Sequence, residues 1–224
     1  LWSSPKVHIR DFFIKTTFDK AYKNATLELG AKVKNYGDQP QAARKLSIQL
    51  YEGDKEVKGV DGSMNVPELQ PGQEVELHKS IAVKSPKKWT AETPYLYTTV
   101  LTINEDGKAI ETISSHTGFR KIEIKGRKLL VNGVPIKLKG VNRHENWPDD
   151  GHAITEEQMI SDITVIKQAN CNQVRTCHYC DDPRWYELCD EYGIDVVAEA
   201  NLEWHGSWDE FNEDPGIKDT IISR

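Results

Sequence analysis

Long apolar runs and an excess of positive charge are both missing from this sequence. No stretch approaches the ~20 consecutive apolar residues that cross a bilayer, so we predict no membrane-spanning helix. The chain has 29 Lys and Arg residues against 35 Asp and Glu, a formal net charge of −6, and no basic stripe. It therefore offers no electrostatic reason to expect a nucleic-acid partner. Hydrophobic residues make up 38% of the 224 residues and charged residues 29%, a balance typical of folded globular proteins.

The start of the chain also lacks expected signals. Its first residues, LWSSPKVHIRDF, include neither an initiator Met nor the apolar core of a signal peptide. We therefore expect the chain to be a piece of a longer protein, with residues 1–6 as a linker from a missing upstream domain. For the same reason the sequence assigns the protein to no cellular compartment.

Cysteine is scarce, because residues 1–170 contain none and the four cysteines all follow. The first part of the chain therefore cannot be held by a disulfide. Cys177 and Cys180 form a C-x-x-C pair, which is compatible with zinc or redox chemistry. A structural zinc site usually has a second close pair, whereas Cys171 and Cys189 stand alone. We predict buried free thiols, with a zinc-binding module around Cys177 and Cys180 as the alternative.

Residues 7–117 consist of short apolar–polar alternations separated by turns. From Leu27 to Val33 every second residue is apolar, and these residues would face one way along a strand. About seven such strands, with turn signals at intervals of about ten residues, predict an all-β, immunoglobulin-like sandwich. The aromatic segment WTAETPYLY at 89–97 is compatible with a sugar-binding strip, but packing in the core or at a domain interface fits it better.

A different pattern begins near residue 118. Turn signals at 125–127 and 132–133 predict a small ribbon of two hairpins that caps the floor of the next domain. From residue 136 the chain reads strand, helix, strand, helix, strand, with 136–141 as the first strand. This order predicts a parallel α/β sheet, and we interpret 118–224 as the incomplete first part of a (β/α)8, or TIM, barrel.

Both predicted helices have clear end signals. Thr155 is placed to cap the first helix, and Gln158, three residues later, completes a capping box. The second helix is expected from Pro183 to Tyr192, with the proline in its first turn. Gly193 follows directly and suits the end of a helix.

Polar side chains cluster where each of the three predicted strands ends. The candidates form three groups: Asn142, Arg143, His144 and Glu145; Arg175 and His178; and Glu199, Asn201, Glu203 and His205. Because the carboxyl ends of parallel strands meet at one edge of a sheet, these groups predict a common polar pocket.

Two pairs within these groups leave alternatives open. Glu203 and His205 are two residues apart, so on an extended segment both side chains face one way and suit a divalent metal or sugar hydroxyls. The alternative is an ordinary hydrogen-bonded surface pair. His144 and His178 are each compatible with a structural role, but their shared position after adjacent strands raises the case for a functional one.

The segment NQVRTCHYCDDPRWYELCDEYGIDVV, residues 172–197, resembles the first signature of glycoside hydrolase family 2. That signature has Asn-x-hydrophobic-Arg, two small residues and His-Tyr-Pro, followed at a fixed spacing by Asp-x-x-Gly. This sequence departs from it at Cys180, where the family usually has Pro. The motifs GVNRHE and EANLEWHG are most similar to the β-galactosidase branch. WTAETPYLY, GFRKIEI and SSPKVHIRDF are also similar to the family, so the resemblance covers nearly the whole chain.

The resemblance implies a domain order: a jelly roll upstream, an immunoglobulin-like domain, then a catalytic barrel. It also implies a homo-oligomeric enzyme that hydrolyses terminal β-D-galactosides with retention, using two glutamates about 5–5.5 Å apart. One is the acid/base and the other the nucleophile. Glu203 and His205 would correspond to magnesium ligands, completed by the acid/base glutamate.

Further roles are implied for the other strand-end residues. His144 and His178 would correspond to histidines that contact the substrate and stabilise the transition state around the galactosyl ring. Arg175 would hold the acidic residues of the pocket in place. Asn201 would line the floor of the same pocket.

The two catalytic glutamates are expected beyond Arg224. In the family the acid/base follows an Asn at the end of the fourth barrel strand, whereas the Asn-Glu pair of the barrel part, Asn212-Glu213, follows no predicted strand. We therefore expect this fragment alone to be inactive. The alternatives are another family 2 activity, β-glucuronidase or β-mannosidase, and a non-catalytic carbohydrate-binding or scaffold module.

Overall fold

Seven strands form the first part of the structure, a computed structural model that describes residues 3–202, 216, 217 and 219. The strands alternate with short turns and precede every helix. Their bounds are β1 Val7–Phe18, β2 Ala25–Asn35, β3 Arg44–Glu52, β4 Lys55–Val66, β5 Glu74–Val83, β6 Leu96–Glu105 and β7 Lys108–Gly118.

These strands form two antiparallel sheets, one in the order β1-β2-β5 and the other in the order β4-β3-β6-β7. Both sheets contribute to a single core, whose members include Leu27, Leu29, Leu46, Ile48, Leu101 and Ile103. Two antiparallel sheets over a shared apolar core confirm the predicted immunoglobulin-like sandwich. Each of the larger core side chains contributes roughly 1.5–3 kcal/mol through burial.

Strand β2 shows why the alternation was a reliable signal. From Leu27 to Val33 the apolar residues are no more than 2% exposed, and the residues between them are half-buried or exposed. Successive side chains of a strand point to opposite faces, so the apolar set fills the core while the polar set faces outward.

The aromatic segment at 89–97 packs inward, as expected. Trp89 is 1% exposed and Tyr97 is 4% exposed. The Tyr97 ring meets Phe119 edge-on at a centroid distance of 5.2 Å. The Tyr97 hydroxyl accepts a hydrogen bond from the Lys87 backbone N–H at 2.9 Å. The segment is therefore part of the sandwich core.

The predicted ribbon is present as β8 (Ile122–Lys125), β9 (Lys128–Val131) and β10 (Val134–Pro135). The structure divides into two compact units, Leu1–Ile136 and Lys137–Arg224, and the ribbon lies in the first. The sequence assigns the ribbon to the barrel.

Side-chain contacts explain why the ribbon groups with the sandwich. The Asn132 amide donates to the Trp89 carbonyl oxygen at 3.0 Å, and the Tyr22 hydroxyl bonds to Glu123. Neither contact is visible in the periodicity of the sequence. That the ribbon caps the barrel floor stays a prediction.

The second unit has the predicted alternation of strands and helices. Its elements are β11 Gly140–Arg143, α1 Glu156–Gln168, β12 Gln173–Thr176, α2 Pro183–Tyr192 and β13 Asp195–Val197. The strands pair in parallel in the order β11-β12-β13, as in the beginning of a β/α barrel. Within the described part of the chain, no helix is long and apolar enough to cross a membrane.

The first strand begins later than predicted. We expected 136–141, but Ile136 still belongs to the ribbon, because its backbone N–H donates to the Leu129 carbonyl oxygen at 3.0 Å. Strand β11 therefore starts only at Gly140.

The helix ends follow the predictions closely. The Thr155 hydroxyl accepts from the Gln158 N–H, and the Gln158 side chain accepts from the Thr155 N–H at 2.8 Å, a complete capping box. Helix α2 begins at Pro183 and ends before Gly193, whose φ of 74° is the left-handed conformation that favours glycine. Between the helices and the strands lies a second core, with Met159, Ile163, Val174, Trp185, Leu188 and Ile194.

Replacing Gly133 by Ala is expected to destabilise the sandwich unit more than replacing Gly126 by Ala. Both glycines have positive φ, so both variants carry backbone strain. A Cβ at Gly133 would also lie 2.6 Å from the Tyr22 ring, whereas the space around Gly126 is open. We expect an additional loss of about 1–3 kcal/mol for Gly133→Ala, measured by urea denaturation. Equal losses of unfolding free energy in the two variants would show that the Tyr22 ring moves aside at no cost in stability.

Candidate active site

The pairing of the three parallel strands places one set of side chains on a common side of the sheet. Asn142, Arg175 and Val197 are register partners across β11, β12 and β13. Register partners in neighbouring strands point to the same face of a sheet. We call this face the pocket side, since His144, His178 and Glu199 follow the ends of these strands.

Arg175 and Glu199 form the central ion pair of the pocket side. The Arg175 Nε donates to the Glu199 carboxylate, and both side chains are partly buried. His178 joins them through Nδ1, which lies 3.1 Å from Glu199 Oε2 and 3.2 Å from Arg175 Nη2. With a proton on Nδ1 the ring donates to Glu199, and without it the ring accepts from Arg175. Strands β12 and β13 thus bring a cation, a carboxylate and an imidazole together.

The Arg175 hydrogen bond lowers the pKa of Glu199, and His178 lowers it further, while burial opposes both effects. The folded pKa is therefore below that of the unfolded chain. The pair stabilises the fold above the ordinary glutamate pKa of about 4.3. This contribution is lost as the pH falls through the lower folded value. At neutral pH Glu199 is ionised, which favours the Nδ1–H form of His178.

His144 lies beside His178, and their rings meet edge-on at a centroid distance of 5.3 Å. The Tyr179 hydroxyl is 3.4 Å from Nδ1 of His144 and 3.4 Å from Nδ1 of His152. His152 Nδ1 donates to the Glu145 carbonyl oxygen at 2.5 Å, so it cannot also accept from the tyrosine. Burial raises the pKa of Tyr179, so the phenol stays protonated. At 3.4 Å its contact with His144 is a weak hydrogen bond, in which either atom can be the donor.

The sequence did not point to two of these residues. Tyr179 is part of the signature motif but carries no signal that separates a hydrogen-bonding role from packing. His152 lies in the loop between β11 and α1, where neither periodicity nor a motif marks it. Only the fold brings this loop to Tyr179.

Arg143 does not lie on the pocket side, although the sequence groups it there. Its register partner is Thr176, which is buried on the opposite side, the side of the helices. The Arg143 guanidinium packs on the Trp185 ring at 3.8 Å and pairs with Asp162 and Asp181. Strand alternation explains the difference, because neighbouring residues of β11 point to opposite faces.

The remaining site candidates are less well placed. Asn201 is exposed, in the segment after β13. Glu203 and His205, the predicted magnesium ligands, lie outside the described residues, as does the Asn212-Glu213 pair. Among residues 3–202, 216, 217 and 219, no group of three or more His, Cys, Asp or Glu side chains is arranged to hold a metal ion.

All four cysteines are free thiols, as predicted, but only Cys177 and Cys189 are buried. Cys171 is half-buried. Cys180 is exposed, so the prediction of burial was wrong for it, because it lies in the loop that follows β12. Its Sγ approaches the Glu199 carbonyl oxygen at 3.5 Å, next to the pocket side.

Comparison with known protein families covers nearly the whole chain. Residues 7–120 match the family model for glycosyl hydrolases family 2, and residues 122–221 match the model for the TIM barrel domain of the same family. The chain belongs to glycosyl hydrolase family 2. The two matches meet near residue 121, whereas the compact units of the structure divide at 136.

Individual family 2 relatives are also similar. The chain is 45% identical over 210 residues to the β-galactosidase of Alteromonas mediterranea, covering 92% of this chain and 20% of that protein. It is 43% identical over 208 residues to the β-galactosidase of Streptococcus thermophilus, covering 93% of this chain and 19% of that protein. The chain therefore spans about a fifth of the length of the curated relatives it matches.

Solved structures of the family superpose on most of the chain. A candidate β-galactosidase from Bacteroides fragilis has 30% identity and a TM-score of 0.76, covering 88% of this chain and 28% of that chain. The β-glucuronidase of Bacteroides uniformis has 27% identity and a TM-score of 0.79, covering 88% of this chain and 24% of that chain. The fold is thus shared across family 2 enzymes named for different substrates.

In this family 2 chain, replacing Arg175 by Met is expected to raise the pKa of Glu199, because the Arg175 hydrogen bond is the main reason why that pKa is low. Carbon-detected NMR of the glutamate carboxyl groups, followed through an acid titration, measures this shift. Arg184→Met is the matched control, since Arg184 pairs with Glu156, Glu187 and Glu191 on the helices. An unchanged Glu199 titration in Arg175→Met would contradict the assignment of the cause.

Iodoacetamide at about pH 8 is expected to label Cys180 in the native protein and to leave Cys189 unlabelled until unfolding. Burial raises the pKa of Cys189 to about 12, so almost none of its thiolate is present. Peptide mapping by mass spectrometry distinguishes the two positions. Labelling of Cys189 at the rate of Cys180 would show that the second core opens readily.

Proposed function

We propose that this chain is part of a retaining β-galactosidase and forms one wall of its active site. The observation that carries the proposal is the meeting of His144 and His178, with rings 5.3 Å apart at the ends of adjacent parallel strands. It is supported by the 45% and 43% identity to proteins named β-galactosidase. Imidazole rings and a carboxylate that is already paired suit a ligand that is rich in hydroxyl groups and carries no charge.

In this proposal, His144 and His178 contact the hydroxyl groups of the galactosyl ring. Arg175 has no direct contact with the sugar. It orients Glu199, and Glu199 in turn holds His178 through Nδ1 at 3.1 Å. Asn201 lines the floor of the pocket. The interactions that strengthen as charge develops on the ring would lower the barrier to hydrolysis.

Magnesium belongs to the proposal through Glu203 and His205. A carboxylate and an imidazole two residues apart are suitable ligands for a divalent cation. Bound there, the ion would supply a fixed positive charge to the site.

A β-glucuronidase is the second candidate, since the solved structures with similar folds include enzymes of that name. A glucuronide carries a carboxylate, which a binding site usually meets with a cation. The Arg175 guanidinium is already paired with Glu199. This pairing favours the uncharged galactoside over the glucuronide.

The test is to express the complete reading frame that contains this chain and to assay p-nitrophenyl β-galactoside, β-glucuronide and β-mannoside. We expect hydrolysis of the galactoside, and His178→Phe should lower kcat/KM by about 100-fold. His78→Phe, on the exposed side of β5, is the matched control and should have no effect. The 224 residues alone should hydrolyse none of the three.

Three outcomes would redirect the proposal. Preference for the glucuronide or mannoside would assign a different family 2 activity. Binding of galactosides without hydrolysis would favour a non-catalytic carbohydrate-binding protein. Full activity in His178→Phe would remove His178 from the site while leaving the activity itself intact.

A further inference from the structure

We propose that Arg143 is a positioning residue that holds both ends of the loop carrying His178 and so sets the distance between His178 and His144. The inference rests on the proposed function for its effect on hydrolysis, but not for its effect on the loop. Arg143 ends β11 and directly precedes His144, and the loop of residues 177–182 joins β12 to α2.

Two hydrogen bonds connect Arg143 to this loop. At the start of the loop, the Cys177 backbone N–H donates to the Arg143 carbonyl oxygen at 2.8 Å. Near its end, Arg143 Nη1 donates to Asp181 Oδ2 at 2.7 Å. His178, Tyr179 and Cys180 lie between these two attachments. A single residue therefore fixes the span over which the histidine is presented.

A second link reinforces the first on the other side of His144. The Glu145 carboxylate accepts a hydrogen bond from the Asp182 backbone N–H at 2.7 Å. Arg143 and Glu145 flank His144 in the sequence and attach to consecutive residues of the same loop. The backbone of His144 is thus held on both sides against the loop that carries its partner.

The Arg143–Asp181 pair is poorly suited to a role in stability alone. Their side chains are 5% and 0% exposed, and burial raises the pKa of Asp181. Within the described part of the chain, Arg143 Nη2 and Asp181 Oδ1 are buried and have no hydrogen-bond partner. Buried pairs of this kind often contribute little net stability, because removing both charges from water offsets their attraction. What such a pair does fix is the position of its two residues relative to each other.

The test uses a double replacement, Arg143→Met with Asp181→Leu, in the complete protein. Replacing both partners by apolar residues removes the two fully buried charges together, and Asp162, the other partner of Arg143, keeps 31% of its side chain exposed to water. The protein should therefore fold with a thermal midpoint near that of the wild type. The attachment at the end of the loop is lost. We expect kcat for the galactoside to fall about 100-fold, because a shift of about 1 Å in the groups around the reacting atoms can slow a reaction by this factor. KM should change little.

A second readout does not depend on activity. Cys180 lies inside the loop and is exposed, so its rate of reaction with iodoacetamide reports the placement of the loop. We expect this rate to rise about tenfold in the double variant, because displacement of the loop frees the Cys180 Sγ from the Glu199 carbonyl oxygen, which lies 3.5 Å away. The matched control is Arg44→Met with Glu105→Leu, which removes an arginine of equal burial from the sandwich. It should change neither kcat nor the rate at Cys180.

The outcomes separate the two proposals. An unchanged Cys180 rate in a folded double variant would overturn the positioning role, whatever happens to kcat. A faster Cys180 with wild-type kcat would also overturn it, since the loop would have moved without consequence for hydrolysis. If the wild type hydrolyses no glycoside, the proposed function fails, and the Cys180 rate alone then decides whether Arg143 holds the loop.

Discussion

The parallel pairing of β12 with a strand on each side is the constraint on which the candidate site depends. It brings three strand ends to one edge and divides their side chains between two faces. Arg175 points to the pocket side, while Val174 and Thr176 are fully buried against the helices. Because side chains alternate along a strand, a shift of one residue in register would exchange these two sets. The helix core that fills one face therefore also determines which polar groups meet on the other.

Side chains also alternate between two faces along the strands of the sandwich, but with a different result. Its inward residues, such as Leu27 and Leu101, form a complete core between two sheets. The pairs on its surface, such as Arg10 with Glu74 and Lys87 with Glu52, are exposed or partly so, and surface pairs of this type stabilise little. Lys87 also bonds to the Tyr95 hydroxyl, which in turn donates to Glu52.

The sequence predicted well whatever depends on local chemistry. The capping box at Thr155 and the helix end at Gly193 follow from a few neighbouring residues, and both were confirmed. It predicted less well what depends on contacts between distant residues. Cys180 was expected to be buried, and the partners of Tyr179 could not be foreseen, since both come from the loop between β11 and α1, about 30 residues earlier in the chain. Arg143 was grouped with the pocket because the predicted strand ended at residue 141, which put Arg143 in the loop, whereas β11 includes it.

The position of Arg143 illustrates how a site can depend on a residue that never faces it. An apolar pair in its place would pack against Trp185 at no cost in desolvation. It could not, however, connect β11 to the far end of the loop, because only a long side chain with several donors reaches both Asp162 and Asp181. The guanidinium stacks on the indole ring, which restricts its plane and aims its donors. Contacts on the helix side of the sheet thus hold Arg143 in place. Because His144 is the next residue in the chain, they also restrict the position of its backbone on the pocket side.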